Sequence, residues 1–287
     1  MKNYSIMLFA FILLGCTEFV DDQINQPEGE ELVLIYGFIS PEEEQIKISV
    51  SETKSIFDED VDFVFGTNED LIIEDATVAL ENEDGTSVSL LFDDTLKRYV
   101  IQASSFPIEP GNEYRLNVIA KGQSFTATCT IPEGKVEDVV SSLGFKIDEF
   151  GQRIENLKVQ FEDIRGTNNF YIVGAKYKPI GGTDIETSNA FFGQQRFVTD
   201  VTGDGFPVIS DGLVSGISDG LEITAQVGHV DELIYRTLLA NFINPRRSDD
   251  DPFFRPIIPP TNIVGEGSYG VFAGFRLTEK TENVTPD

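Results

Sequence analysis

Oxygen-bearing side chains take up the spacing of a cation loop at one place in this chain. Asp200, Thr202, Asp204 and Asp211 occupy the first, third, fifth and twelfth places of Asp-Val-Thr-Gly-Asp-Gly-Phe-Pro-Val-Ile-Ser-Asp. Glycine holds the sixth place and Phe206 offers a backbone carbonyl at the seventh, the order in which an EF-hand loop surrounds calcium with oxygen. Two features differ from that pattern: the twelfth ligand is Asp instead of Glu, and Phe191–Val198 ahead of the loop reads as strand where an EF-hand has a helix. The competing reading is an acidic hairpin turn whose glycines supply positive φ. Calcium is the one cofactor the sequence raises.

Other chemistry has less to work with. The chain holds a single histidine, His229, so a Ser-His-Asp triad would have to use it and a multi-histidine zinc site is excluded. Its setting between a strand and a helix reads as a loop histidine. Paired carboxylates of a glycosidase are not identifiable among 49 acidic residues, because spacing in sequence does not give separation in space. No catalytic constellation is visible, and the chain reads as non-enzymatic.

The two cysteines have different surroundings. Cys129 lies in phase with the apolar residues of Phe125-Thr-Ala-Thr-Cys129-Thr-Ile131 and is expected to be a buried small hydrophobe. Cys16 closes a different pattern: Lys2, then the apolar run Ile6–Leu14, then Gly15. That is a charged region, a hydrophobic region and a small residue at a cut, as in a secretory signal over residues 1–15. Nine apolar residues are too few to span a bilayer, which takes about 20. Leu13-Leu14-Gly15-Cys16 resembles a bacterial lipobox, which implies acylation at Cys16. Residues 16–31 then form an acidic tether without hydrophobic period.

A formal net charge of −28 repels phosphate backbones, and nucleic acid is set aside as a partner. Hydrophobic residues at 40% suffice for buried cores, and the length suits two domains.

The elements that must hold these residues are strands. Leu32–Ile39 is dense enough in apolar residues to be a strand buried on both faces. Alternation recurs at Ile46/Ile48/Val50, Ala76/Val78/Leu80, Tyr114/Leu116/Val118 and Phe125/Ala127/Cys129, with turns at Asp84-Gly85, Pro110-Gly111 and Lys121-Gly122. The expected fold class is all-β, with two antiparallel, Ig-like β-sandwich domains over 32–132 and 135–287. One short helix is expected in the second, at about 231–243, capped by Asp231 and ended by Pro245. Residues 245–262 carry five prolines and read as an extended loop in which Phe253, Phe254 and Arg255 form a partner-docking surface or fold back onto the sandwich. Val271–Leu277 reads as the closing strand, and the last ten residues read as frayed.

Several of these stretches in order carry a resemblance. Asp163…Asn169-Phe170-Tyr171, a helix with Tyr235, Pro252-Phe-Phe-Arg-Pro256, Thr261-Asn262-Ile263 and Gly270-Val-Phe-Ala-Gly-Phe275 resemble a Bacteroidota lipoprotein family known as domain of unknown function 4249. Tyr36-Gly37-Phe38 and Asp75-Ala76-Thr77-Val78 fit its first part. The resemblance implies an outer-membrane lipoprotein, an accessory or ligand-capturing subunit of a TonB-dependent transporter, and the acidic residues just after Cys16 resemble the surface-export signal of Bacteroidota lipoproteins, which implies that it faces the cell exterior. The alternatives are a surface hydrolase of glycans or peptides and a calcium-stabilised adhesin.

Overall fold

The computed structural model describes residues 31–53, 71–166, 168–181, 187–200, 204–248 and 255–286, with backbone alone at 245–248. The signal sequence, almost all of the tether and Cys16 lie outside them, as do Thr202, Phe253 and Phe254.

The protein is all-β with one α-helix among the described residues. Seven strands build the first half: β1 (Val33–Ile39), β2 (Gln45–Glu52), β3 (Thr77–Asn82), β4 (Ser87–Asp93), β5 (Arg98–Gln102), β6 (Glu113–Ala120) and β7 (Gln123–Thr130). The second half supplies β8 (Val139–Ile147), β9 (Arg153–Glu162), β10 (Phe170–Pro179), β11 (Ser188–Asn189), β12 (Phe197–Thr199), β13 (Pro207–Leu213), β14 (Leu221–Val230), helix α1 (Glu232–Ser248) and β15 (Ser268–Val284). Hydrogen bonding runs unbroken through β11-β10-β14-β15-β1-β2-β5-β4-β3-β6-β7, with β12 added to β10, while β13-β9-β8 forms a separate sheet.

Two strands that change partners turn this path into two sandwiches. β4 pairs with β3 through Leu90 and with β5 from Leu91, which folds β3-β6-β7 over β1-β2-β5. Ile35, Ile48 and Tyr99 meet Leu80, Leu116 and Phe125 in the resulting core. β15 lies parallel to β1 from Ser268 to Gly274 and antiparallel to β14 from Phe275 to Val284. Its far half, with β14 and β10, covers β8-β9-β13 around Leu157, Val159, Tyr171, Val173 and Val227. One 17-residue strand therefore belongs to both sandwiches. The β1–β15 pair is parallel, an exception to the antiparallel expectation.

The turns lie where glycine chemistry puts them. Gly85 has φ 79°, and the Lys121-Gly122 pair has positive φ at both positions, as a two-residue hairpin requires. Helix α1 starts as expected, with the Leu233 N–H donating to the Asp231 carboxylate at 2.7 Å.

Three expectations are corrected. The helix passes Pro245 and ends at Ser248; an internal proline removes one backbone donor and is accommodated by bending, so it does not oblige a helix to stop. Residues 278–284, read as frayed, are the outer half of β15, held by Leu221–Val227 of β14. Thr-Glu-Lys-Thr-Glu-Asn hides its strand character because both of its faces meet polar partners: on one the Thr224 and Thr281 hydroxyls lie 2.9 Å apart, and on the other Lys280 reaches Asp138 at 2.9 Å. Phe191–Val198 is a strand at its end alone; Gly193–Arg196 makes a 3₁₀ turn in which Gly193 has φ 56° and Arg196 Nε donates to the Gly193 carbonyl.

Candidate functional site

Where β15 passes from one sandwich to the other, the continuous sheet presents a face that neither core uses. β1 alternates between the first core and this face, so Ile35 and Ile39 go inward while Tyr36 and Phe38 look out. Phe275 and Leu277 of β15, Val230 of β14 and Ile172 of β10 continue the same face. Helix α1 leans over it with Ile234 buried and Leu238 half-buried, forming one wall of a groove of about 800 Å³. The ring cluster Phe170–Tyr235–Phe197–Phe242, with successive centroids 5.1 to 5.7 Å apart, holds that wall in place.

Two glycines give the groove its depth. Gly228 stands on β14 beside Leu277 of β15, and Gly174 lies on β10 opposite Gln226. A Cβ at Gly174 would meet open space, and one at Gly228 would make ordinary contacts with Val230 and the Ile172 carbonyl. Neither glycine has a positive φ, so the missing side chains serve space rather than backbone conformation.

The charge of the groove's described lining is opposite in sign to that of the chain. Among the described lining residues are Lys47, Arg98 and Arg196 against the single acid Glu43. Lys47 lies 3.9 Å from Glu43 with both ends partly in solvent, while Arg196 stacks over Phe242 at 5.3 Å. Burial raises the Tyr36 hydroxyl's pKa, so it remains a neutral group on the floor. The lining joins an apolar centre to a few polar groups, the usual make-up of a small-molecule site.

Below the groove the seam is locked by Glu42. Its carboxylate accepts from Arg276 Nε at 3.0 and 3.3 Å, from the Ser40 hydroxyl at 2.8 Å and from the Leu277 N–H at 3.1 Å, and Lys135 stands 3.3 Å away. Arg276 also donates to the Glu133 carbonyl at 2.8 Å. Burial pushes the Glu42 pKa up, but the bonds from Arg276, Ser40 and Leu277 outweigh it and hold the carboxyl below its ordinary range.

The residues singled out by spacing fall elsewhere. Asp200 accepts from the Asn168 N–H at 2.8 Å and Asp204 from the Gly166 N–H at 2.7 Å, so both carboxylates are tied to the preceding loop. Asp211 lies within β13 and takes a bond from the Asn156 side-chain amide at 3.2 Å. Phe206 is exposed and its carbonyl receives the Asp163 N–H. No group of three or more His, Cys, Asp or Glu able to hold a metal occurs among the described residues. The calcium reading is tested by melting: coordination by Asp200, Asp204 and Asp211 should raise the melting temperature in millimolar calcium by mass action, and curves superimposed on those in chelator would reduce the loop to a turn. Arg255 is exposed beside Pro256.

His229 is on β14 rather than in a loop, paired with Tyr171 and Arg276. Its Nδ1 faces the Gly134 carbonyl at 2.9 Å and so carries the proton, where a catalytic relay would present a carboxylate. Burial lowers its pKa, which keeps the ring neutral. Cys129 is a free, buried thiol whose pKa burial pushes up, as expected of a packed small hydrophobe.

The groove residues were missed in the sequence because they come from many strands, each contributing a few. The available signal was glycine inside apolar strands at 174 and 228, together with the wet-face cation Lys47.

The stretches that carried the resemblance are structural in role. Tyr171 donates to Asp163 at 2.6 Å inside the second sandwich, and Phe170 packs on Tyr235. Asn262 donates to the carbonyls of Thr128 and Phe272, at 2.9 and 2.7 Å, and accepts from the Phe272 N–H at 2.9 Å, tying the strap before β15 to both β7 and β15. No curated protein matches the chain. The family model described as "Domain of unknown function (DUF4249)" matches residues 17–281, spanning both sandwiches and the strand they share, and the chain belongs to that family.

Proposed function

We propose that this protein is a non-enzymatic, lipid-anchored capture subunit of the outer membrane, serving a TonB-dependent transporter from the cell exterior. The observation that carries the capture role is the seam groove, preformed, apolar at its centre and floored by glycines at 174 and 228. A hydrolase of glycans needs two carboxylates across a scissile bond, and Glu43 is the lone acid among the groove's described lining residues. Anchoring is supported by the lipobox-like Leu13-Leu14-Gly15-Cys16, since acyl chains contribute about 0.8 kcal/mol per buried methylene and two or more hold a protein on a bilayer. The transporter as partner rests on the family resemblance.

Changing Cys16 to Ser tests both parts together. The variant is expected in the soluble fraction after cell lysis, and a transporter that co-purifies with the wild type from solubilised membranes should no longer do so. Continued pelleting with membranes through a high-salt wash would refute the anchor.

A further inference from the structure

We propose that the seam groove binds amphipathic anions, molecules with a medium-length aliphatic body and one carboxylate-like head. This rests on the capture reading and names the ligand class for the same site.

The argument starts from the order of the strands beneath the groove. From β1 through β15 and β14 to β10 the floor is apolar or bare at Phe38, Phe275, Leu277, Gly228 and Ile172, with the Gln226 amide on β14. Three strand spacings of about 4.8 Å make that floor roughly 14 Å wide, the scale of an extended medium-length chain. At the β1 end the character changes within one strand. Lys47 on β2 and Arg98 on the adjoining β5 lie on the same outer face, with Gln45 and Ser49 beside Lys47. Arg98 is exposed and forms no ion pair among the described residues, and the Lys47–Glu43 contact is long and solvated.

Composition makes this arrangement informative. The chain has 21 basic residues against 49 acidic ones, yet the described residues of the groove lining hold three bases against one acid. An acidic surface repels an anion on approach, so a basic patch in a concave wall marks where one is held. The aliphatic body lies on the sheet under Ile234 and Leu238, and the head group is met by Lys47 and Arg98. A neutral aromatic or sugar ligand would leave those two cations unmatched.

Calorimetric titration of the full chain carrying Cys16→Ser tests this, with decanoate and decyltrimethylammonium as probes of opposite charge and equal tail, both below micellar concentration. Decanoate is expected to saturate one site per chain and to bind at least tenfold tighter than the cation, although the overall charge favours the cation everywhere else. Lys47→Glu with Arg98→Glu should weaken decanoate at least tenfold at unchanged melting temperature, and Gly174→Leu, whose side chain enters open space, should abolish binding. Equal affinity for the two probes, with loss in Gly174→Leu, would overturn the anionic assignment while leaving ligand capture intact. Unchanged decanoate binding in the double charge variant, or no binding of either probe, would also overturn it.

Discussion

Gly270→Ala is expected to leave the protein unfolded. Gly270 lies in β15 opposite Ile35 of β1 with φ 136°, a conformation closed to side chains. A Cβ there would fall on the Ile35 carbonyl, and the Ile35 N atom would be within 2.9 Å. Neither neighbour can move, because Ile35 is fully buried in the first core and its strand is paired on both sides. Backbone strain and overpacking together should cost about 4 kcal/mol or more, a large share of a domain's total stability. Both sandwiches should fail together, since β15 is a strand of each. Circular dichroism with intact β signal and a cooperative melt in the variant would show that the parallel seam tolerates displacement.

The second large effect is at the lock beneath the groove. Glu42→Gln removes the charge that Arg276 and Lys135 face, leaving the Arg276 guanidinium, 12% exposed, without its carboxylate. Loss of a mostly buried, charge-assisted pair should cost about 3 kcal/mol at neutral pH. The folded-state pKa of Glu42 is lowered, so its contribution is present above the unfolded value of about 4.3 and is lost as pH falls through the folded value. Denaturant titrations should therefore show a wide gap between wild type and variant at pH 7 that narrows steadily in acid. A gap independent of pH would mean that shape, and not charge, is what Glu42 supplies.

These two residues show what sequence reading reaches and where it stops. Local chemistry was legible: positive φ at Gly85 and Gly122, the Asp231 cap and the in-phase Cys129 each follow from a few neighbouring residues. The all-β class followed from the same alternation. Pairings between distant segments were not legible. Gly270 closes the glycine-rich stretch Gly265-Glu-Gly267-Ser-Tyr-Gly270, and nothing local there signals that Ile35, more than 200 residues earlier, lies against it. Glu42 sits in the acidic run Glu42-Glu43-Glu44, which locally has the make-up of a solvated loop tip, because Arg276 lies at the other end of the chain.

The site was obscured for a related reason. Motifs announce themselves when consecutive residues do the chemistry, as Asp200–Asp211 seemed to. The groove instead draws a few residues each from elements spread along the chain, β1, β2, β5, β10, β14, β15 and α1, and its depth comes from side chains that are missing. The order of motifs that made the family recognisable reports on packing: Asp163 with Tyr171, Phe170 with Tyr235, Asn262 with Phe272. Those contacts hold the two sandwiches and the helix in the positions that create the groove.

The central claim is that this groove holds a captured ligand in the working protein. Native mass spectrometry of the protein released from its own membranes tests it most directly, comparing wild type with Gly174→Leu. The wild type should retain one small molecule per chain, and the variant, folded to the same melting temperature, should retain none. A ligand-free wild type, or equal retention by both, would contradict the claim.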